Sequence, residues 1–160
     1  MKKIIFCIII AAGIIVCSHA QSLYQLADGF YYDSATNQLF TGVYTQKYPD
    51  GAKKFEIPLK NGLKHGLLSY YFPGGNLKEV QSYKMGKMHG TWITFSNSGK
   101  KKEEASFANN KKNGRWYIWD ENGMLRYEMT YLDNHKIGTW YIWDEKGNLV
   151  DEKVFGIVIR

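Results

Sequence analysis

The chain has 160 residues, with 21 Lys and Arg against 15 Asp and Glu and a formal net charge of +6. This length suits one domain. The mild basic excess is interleaved with glutamates, which argues against a nucleic-acid surface. Both cysteines, Cys7 and Cys17, lie in the first 20 residues, so everything after them is without disulfide or thiolate chemistry.

Residues 1–20 read as a cleaved signal peptide. Lys2-Lys3 is a positive start, Ile4 to Val16 is a short apolar run, and Ser18-His19-Ala20 offers small residues where a signal peptidase inspects the chain. The apolar run falls short of the roughly 20 residues of a membrane span. Lipid attachment at Cys17 and retention as an uncleaved anchor are the alternatives, and Val16 is large for the residue before a lipid-attachment site. Cleavage before Gln21 removes Lys2 and Lys3 and takes the net charge from +6 to +4. The expected destination is outside the cytoplasm: periplasmic, secreted or associated with the cell envelope.

Residues 21–41 read as a divergent capping unit. Asn37-Gln38 keeps the phase of the later turns, whereas Asp28-Gly29 is out of phase by two. From residue 42 to 155 the chain repeats every 24 residues. Gly42, Gly66, Gly90, Gly114 and Gly138 form one series, and Gly51, Gly75, Gly99, Gly123 and Gly147 a second. An unbroken period of this length indicates an array of identical units. Within one period, Gly114 to Asp120 is rich in aromatic and β-branched residues, which suit a strand. Glu121-Asn122-Gly123 is a turn signal, and Met124 to Tyr131 is a second strand. Asn61-Gly62, Met85-Gly86, Asn109-Asn110 and Asp133-Asn134 suit tight two-residue hairpin turns. Turn residues every 10–14 positions leave no helical window. The expected fold is all-β: tandem hairpins in an elongated, twisted, single-layer antiparallel meander, with a tail at 156–160.

Tyr83-Lys-Met-Gly86-Lys-Met-His-Gly90-Thr-Trp92 resembles the MORN-repeat variant, of pattern Y-x-x-G-x-x-x-G-x-W. Phe107 to Trp116 and Tyr131 to Trp140 keep the pattern with Asn110 and Asn134 at its first glycine. Leu59 to Leu68 lacks both aromatics. Tandem arrays of this variant resemble the YwqK-type antitoxins. That resemblance implies a protein partner, a toxin, and neutralisation by occlusion.

Strand alternation separates two faces. Trp92, Trp116 and Trp140 are expected on one face with Ile118 and Ile142. A four-residue turn adds Leu125, Leu149, Met129, Tyr131 and Phe155 to it, making this the apolar, structural face. The other face holds the candidate binding row, Phe95, Tyr117, Trp119, Tyr141 and Trp143. With it are placed Lys54, Lys78, Lys102 and Arg126, and Glu56, Glu104, Glu128 and Glu152. The charged rows are expected to form cross-strand pairs worth roughly 0.2–1 kcal/mol each. A one-residue slip would exchange the two sets.

No nucleophile motif or phosphate loop is present. His65 and His89 hold equivalent positions two strands apart, about 9.6 Å, too far for shared zinc ligation at about 2.0–2.1 Å per ligand. Glu104 and Glu128 approach the spacing of a glycosidase pair. As equivalent rungs of a ladder, however, they lack the unlike environments an acid and a base require. No enzyme activity, metal or cofactor is expected. Three binding functions remain: a protein partner, a carbohydrate or envelope component stacked on the aromatic row, and a peripheral lipid surface.

Overall fold

The residues at the tight turns decide where each strand ends. At Asn61-Gly62, Met85-Gly86, Asn109-Asn110 and Asp133-Asn134 both residues have positive φ, from 48° to 77°. That is the backbone of a type I′ turn, whose twist matches that of the strands it joins. The opposite turns are wider. Gly123 N–H donates to the Asp120 carbonyl at 3.0 Å with Gly123 at φ 87°, and Gly51, Gly75, Gly99 and Gly147 repeat the bond.

The computed structural model describes residues 22–156 and two short strands before them, β1 (Cys7–Ile9) and β2 (Ile15–Cys17), which pair with each other. The leader expected at 1–20 and the tail beyond Gly156 otherwise lie outside the described residues. β3 (Leu23–Gln25) and β4 (Tyr31–Asp33) form a separate small hairpin. The main sheet contains β5 (Gly42–Lys47), β6 (Lys53–Lys60), β7 (Leu63–Lys64), β8 (Gly66–Tyr71), β9 (Leu77–Lys84) and β10 (Lys87–Met88). It continues with β11 (Gly90–Phe95), β12 (Lys101–Ala108), β13 (Lys111–Trp119), β14 (Leu125–Leu132), β15 (His135–Trp143) and β16 (Leu149–Phe155). Each long strand lies antiparallel to its sequence neighbour, with β5 at one edge and β16 at the other. Among the described residues there is no helix. The period therefore builds the all-β hairpin meander it predicts.

Each of the five wide-turn hairpins of the main sheet carries the same bulge. Ile118 pairs with Tyr127 but Trp119 pairs with Leu125, so Arg126 is an extra residue in β14. Lys54, Lys78, Lys102 and Val150 are extra by the same shift in the other four hairpins. A second irregularity lies at the first glycine series. Ala105 pairs with Trp116 and Phe107 with Lys112, which leaves β13 two residues longer than β12 between those pairs. Gly114 sits in this bend at φ 105°, and a Cβ there would lie 3.0 Å from Ser106 Cβ. Both the dihedral and the close approach require glycine.

The buried hydrophobic residues among those described are Ile57, Leu59, Leu68, Ala105, Met129 and Tyr131. In register, all fall on the side of the sheet that carries Trp116. Leu23, Tyr31 and Phe40 pack against the Ile57–Leu59–Leu68 cluster, so residues 22–41 cover the first end of that side. Backbone bonds hold the cover in place: Tyr31 N–H to the Gly62 carbonyl at 2.8 Å and Gly62 N–H to the Phe40 carbonyl at 2.7 Å.

Candidate functional site

The Trp116 face is built on one ladder of rings. Tyr83, Trp92, Phe107, Trp116, Tyr131, Trp140 and Phe155 follow one another across successive strands, with centroids 4.7–5.4 Å apart. Tilted pairs at this distance contribute about 0.5–1.5 kcal/mol each beyond burial. The indole N–H groups of Trp92, Trp116 and Trp140 donate to the carbonyls of Ser82, Ser106 and Thr130 at 3.0–3.1 Å. These bonds satisfy the polar edge of each ring and fix its orientation. Lysines from the tight-turn side cover the ladder. Lys64 lies over Tyr83, Lys112 over Trp116 and Tyr131, and Lys136 over Trp140 and Phe155, at 4.3–5.3 Å. Burial pulls the Lys64 pKa down and pushes that of Tyr83 up, Glu79 adding to the latter.

The bulge overturns part of the expected face assignment. Leu125 and Leu149, expected beside Trp116 and Trp140, pair instead with Trp119 and Trp143. Lys54, Lys78, Lys102 and Arg126, expected among the glutamates, are the bulged residues and find other partners. Lys54 lies over Tyr48 at 6.0 Å and Lys78 over Phe72 at 5.7 Å. Lys102 pairs with Glu121 at 3.0 Å and Arg126 with Asp120 at 3.5 Å. One extra residue inverts the alternation beyond it. Glu56 and Glu104 consequently bind Lys53 and Lys101 of their own strands, at 2.8 Å and 2.6 Å. Met129, Tyr131 and Phe155 lie on the tight-turn side of the bulge and fall where the alternation put them.

The Trp119 face carries the row expected from sequence. Tyr117 and Trp119 are 5.7 Å apart at 31°, and Tyr141 and Trp143 are 5.9 Å apart at 35°. Glu128 and Glu152 stand across from Tyr117 and Tyr141. Lys101, the strand partner of Phe95, holds its ammonium 5.3 Å from the Trp119 ring. All five aromatics are half-buried.

Two recesses among the described residues open on the Trp116 side. One, of about 290 Å³, is lined by Glu79, Trp92, Glu103, Phe107 and Trp116. The second, of about 280 Å³, is lined by Ile118, Tyr127, Met129, Trp140, Ile142 and Phe155, with Lys136 and Lys153 at its side and Tyr141 of the expected row also reaching it. Sequence reasoning missed Glu79 and Glu103. The signal was available in the period, since they hold the slot that Phe55 and Tyr127 fill in other copies.

The turns join hairpin to hairpin. Asn110 and Asn134 accept from the N–H groups of Met88 and Lys112 at 2.7 Å and 2.8 Å, so asparagine at these positions adds a bond that glycine lacks. His65 Nδ1 accepts from Met85 N–H at 3.3 Å, whereas His89 Nδ1 is buried with no hydrogen-bond partner. Among the described residues no group of three or more His, Cys, Asp or Glu gathers as a metal site would.

A ring ladder, paired glycine bends and a shared bulge every 24 residues define the repeat. Residues 64–85, 88–109 and 112–133 each match the family model of the MORN repeat variant. These three consecutive MORN-variant repeats are the central hairpins of the array. The hairpins on either side have the same bulge, although Tyr44 stands at the tryptophan position of the first. No curated protein matches the chain with significance.

Proposed function

We propose that this chain is an exported, non-catalytic module that binds a protein partner through the Trp116 face of its MORN-variant array. The observation that carries this reading is that the two recesses described above lie on that face between aromatic rungs, beyond the end that residues 22–41 cover. Half-buried aromatics beside apolar hollows are the usual anchoring sites of a protein interface. The start Lys2-Lys3, the apolar run and Ser18-His19-Ala20 support export. The resemblance to YwqK-type antitoxins makes the partner a toxin held by occlusion, met outside the cytoplasm.

The test is cross-linked capture from the native cell envelope, followed by titration of the purified captured protein. Wild type, Ile142→Glu and Trp119→Ala are compared. Ile142→Glu, which puts a charge in the second recess, is expected to weaken binding at least about tenfold, or about 1.4 kcal/mol. Trp119→Ala is expected to stay within about twofold. The reverse order would move the site to the Trp119 face, and absence of any saturable protein complex would overturn the reading. A second reading rests on the ring pairs Tyr117–Trp119 and Tyr141–Trp143, which repeat as a stacking platform for carbohydrate would. Glycan-array binding lost in Trp119→Ala favours it. Liposome pelleting tests the lipid alternative.

A further inference from the structure

The lysine that covers the ring ladder is missing from one rung. Two residues before the first-series glycine stand Lys64, Lys112 and Lys136, but Met88 in the third hairpin. Tyr83, Trp116, Tyr131, Trp140 and Phe155 each have a lysine ammonium within 4.3–5.3 Å. Among the described residues, Trp92 and Phe107 have none. Their rings are 4.9 Å apart and line the first recess.

The same recess holds carboxylates without a counter-charge. Glu79 and Glu103 both pair in register with Thr94, one from each side, so they stand two strands apart on the Trp116 face, about 9.6 Å between backbones. Both are half-buried, and among the described residues neither forms an ion pair. Glu79 accepts one hydrogen bond, from the Gln81 amide at 2.7 Å. The cations adjacent in sequence are committed elsewhere, Lys78 to the Phe72 ring and Lys102 to Glu121. Two half-buried carboxylates thus remain uncompensated in a chain with an excess of basic residues. Aromatic faces and carboxylates both attract a cation, and desolvation strengthens the attraction.

We infer that this recess receives a cationic side chain of the partner, an arginine, between Glu79 and Glu103 and against the Trp92 and Phe107 rings. Its guanidinium takes the place of the lysine that the other rungs supply internally. Arginine suits the recess better than lysine because its planar fork can donate to two carboxylates while stacking on a ring. The source of the cation rests on the protein-binding reading; the recess itself does not.

The test uses the full chain and the peptide acetyl-Gly-Gly-Arg-Gly-Gly-amide, followed through the indole N–H resonances of Trp92 and Trp116. A saturable shift at those two indoles is expected. Replacing Arg by citrulline, or the protein by Glu79→Gln/Glu103→Gln, is expected to weaken binding at least about tenfold, and added salt to weaken it further. Both glutamines are close in shape to the originals, and unchanged resonances in the first hairpin show that the fold is kept. Equal binding of the citrulline peptide would overturn the inference. So would binding unaffected by the double substitution, shifts confined to Trp119 and Trp143, or no shift at millimolar peptide. A captured protein that binds wild type and the double variant equally sinks the recess and leaves protein binding standing. Arginine-specific shifts without any protein complex do the opposite.

Discussion

Replacing Trp116 by alanine removes more than surface area. The ring loses two neighbours, Phe107 and Tyr131, each with its centroid at 5.3 Å, and the Lys112 ammonium at 4.3 Å. The Ser106 carbonyl loses its indole donor at 3.1 Å. Ring pairs at about 0.5–1.5 kcal/mol each, a hydrogen bond near 1 and a half-exposed cation–π contact near 0.5–1 lead to about 3–4 kcal/mol. That lies toward the lower end of fully buried tryptophan truncations, as half-burial requires. Trp119 has one ring neighbour, Tyr117 at 5.7 Å, and one cation, Lys101 at 5.3 Å, so its truncation should cost about 1–2 kcal/mol. For a domain of this size 1 kcal/mol moves the melting temperature by about 3–4 °C. Trp116→Ala should therefore melt roughly 10 °C below wild type and Trp119→Ala roughly 5 °C below. Thermal melts followed by circular dichroism decide it. Trp140 is unsuited to the comparison because it adjoins the edge strand β16, where fraying blunts the loss. If Trp119→Ala melts as early as Trp116→Ala, the ring ladder is not what stabilises the sheet.

Met85 is a non-glycine residue at φ 48° in a type I′ turn where asparagine or aspartate stands in other copies, so Met85→Asn should raise stability by about 0.5–1 kcal/mol in a denaturant titration. Met88→Lys should supply the missing internal cation, raising the melting temperature slightly and weakening the arginine peptide several-fold. Gly114→Ala should destabilise by about 2 kcal/mol or more, since strain and close approach to Ser106 act together; Gly99→Ala, with open space around it, should cost about half that. Hydrogen bonds lower two turn aspartates below the ordinary carboxyl value of 3.8: Asp120 chiefly through Met124 N–H, and Asp144 through the Asn148 side chain and N–H. Depressed folded values stabilise the protein above about pH 4 and lose that effect as pH falls through them. The fall in melting temperature between pH 7 and pH 3 should accordingly be smaller in Asp120→Asn/Asp144→Asn than in wild type; an equal fall refutes the assignment. Mass spectrometry of the exported protein should place its N-terminus at Gln21, and a lipid-bearing Cys17 there would refute cleavage after Ala20.

Much of this protein was legible without coordinates because its information is local and repeated. Two glycine series at one period dictate where the chain turns, and turn chemistry with strand propensity dictates hairpins. Strict alternation then placed Trp92, Trp116 and Trp140 with Met129, Tyr131 and Phe155. What alternation could not supply was the bulge. The unpaired residue of each hairpin is basic in four copies, Lys54, Lys78, Lys102 and Arg126, and Val150 in the fifth, and a basic residue in a strand does not by itself mark a bulge; yet it sends Leu125 and Leu149 to the Trp119 face and the basic row away from the glutamates. The first recess was equally hidden, because it depends on which copies carry Glu79 or Glu103 in place of an aromatic residue and on where those sites meet across strands. Sequence determined the repeating unit through short-range backbone preferences. The tertiary structure decided which side chains share a face, because register depends on hydrogen bonding between strands, where a single extra residue exchanges the faces of the residues on one side of it relative to the other.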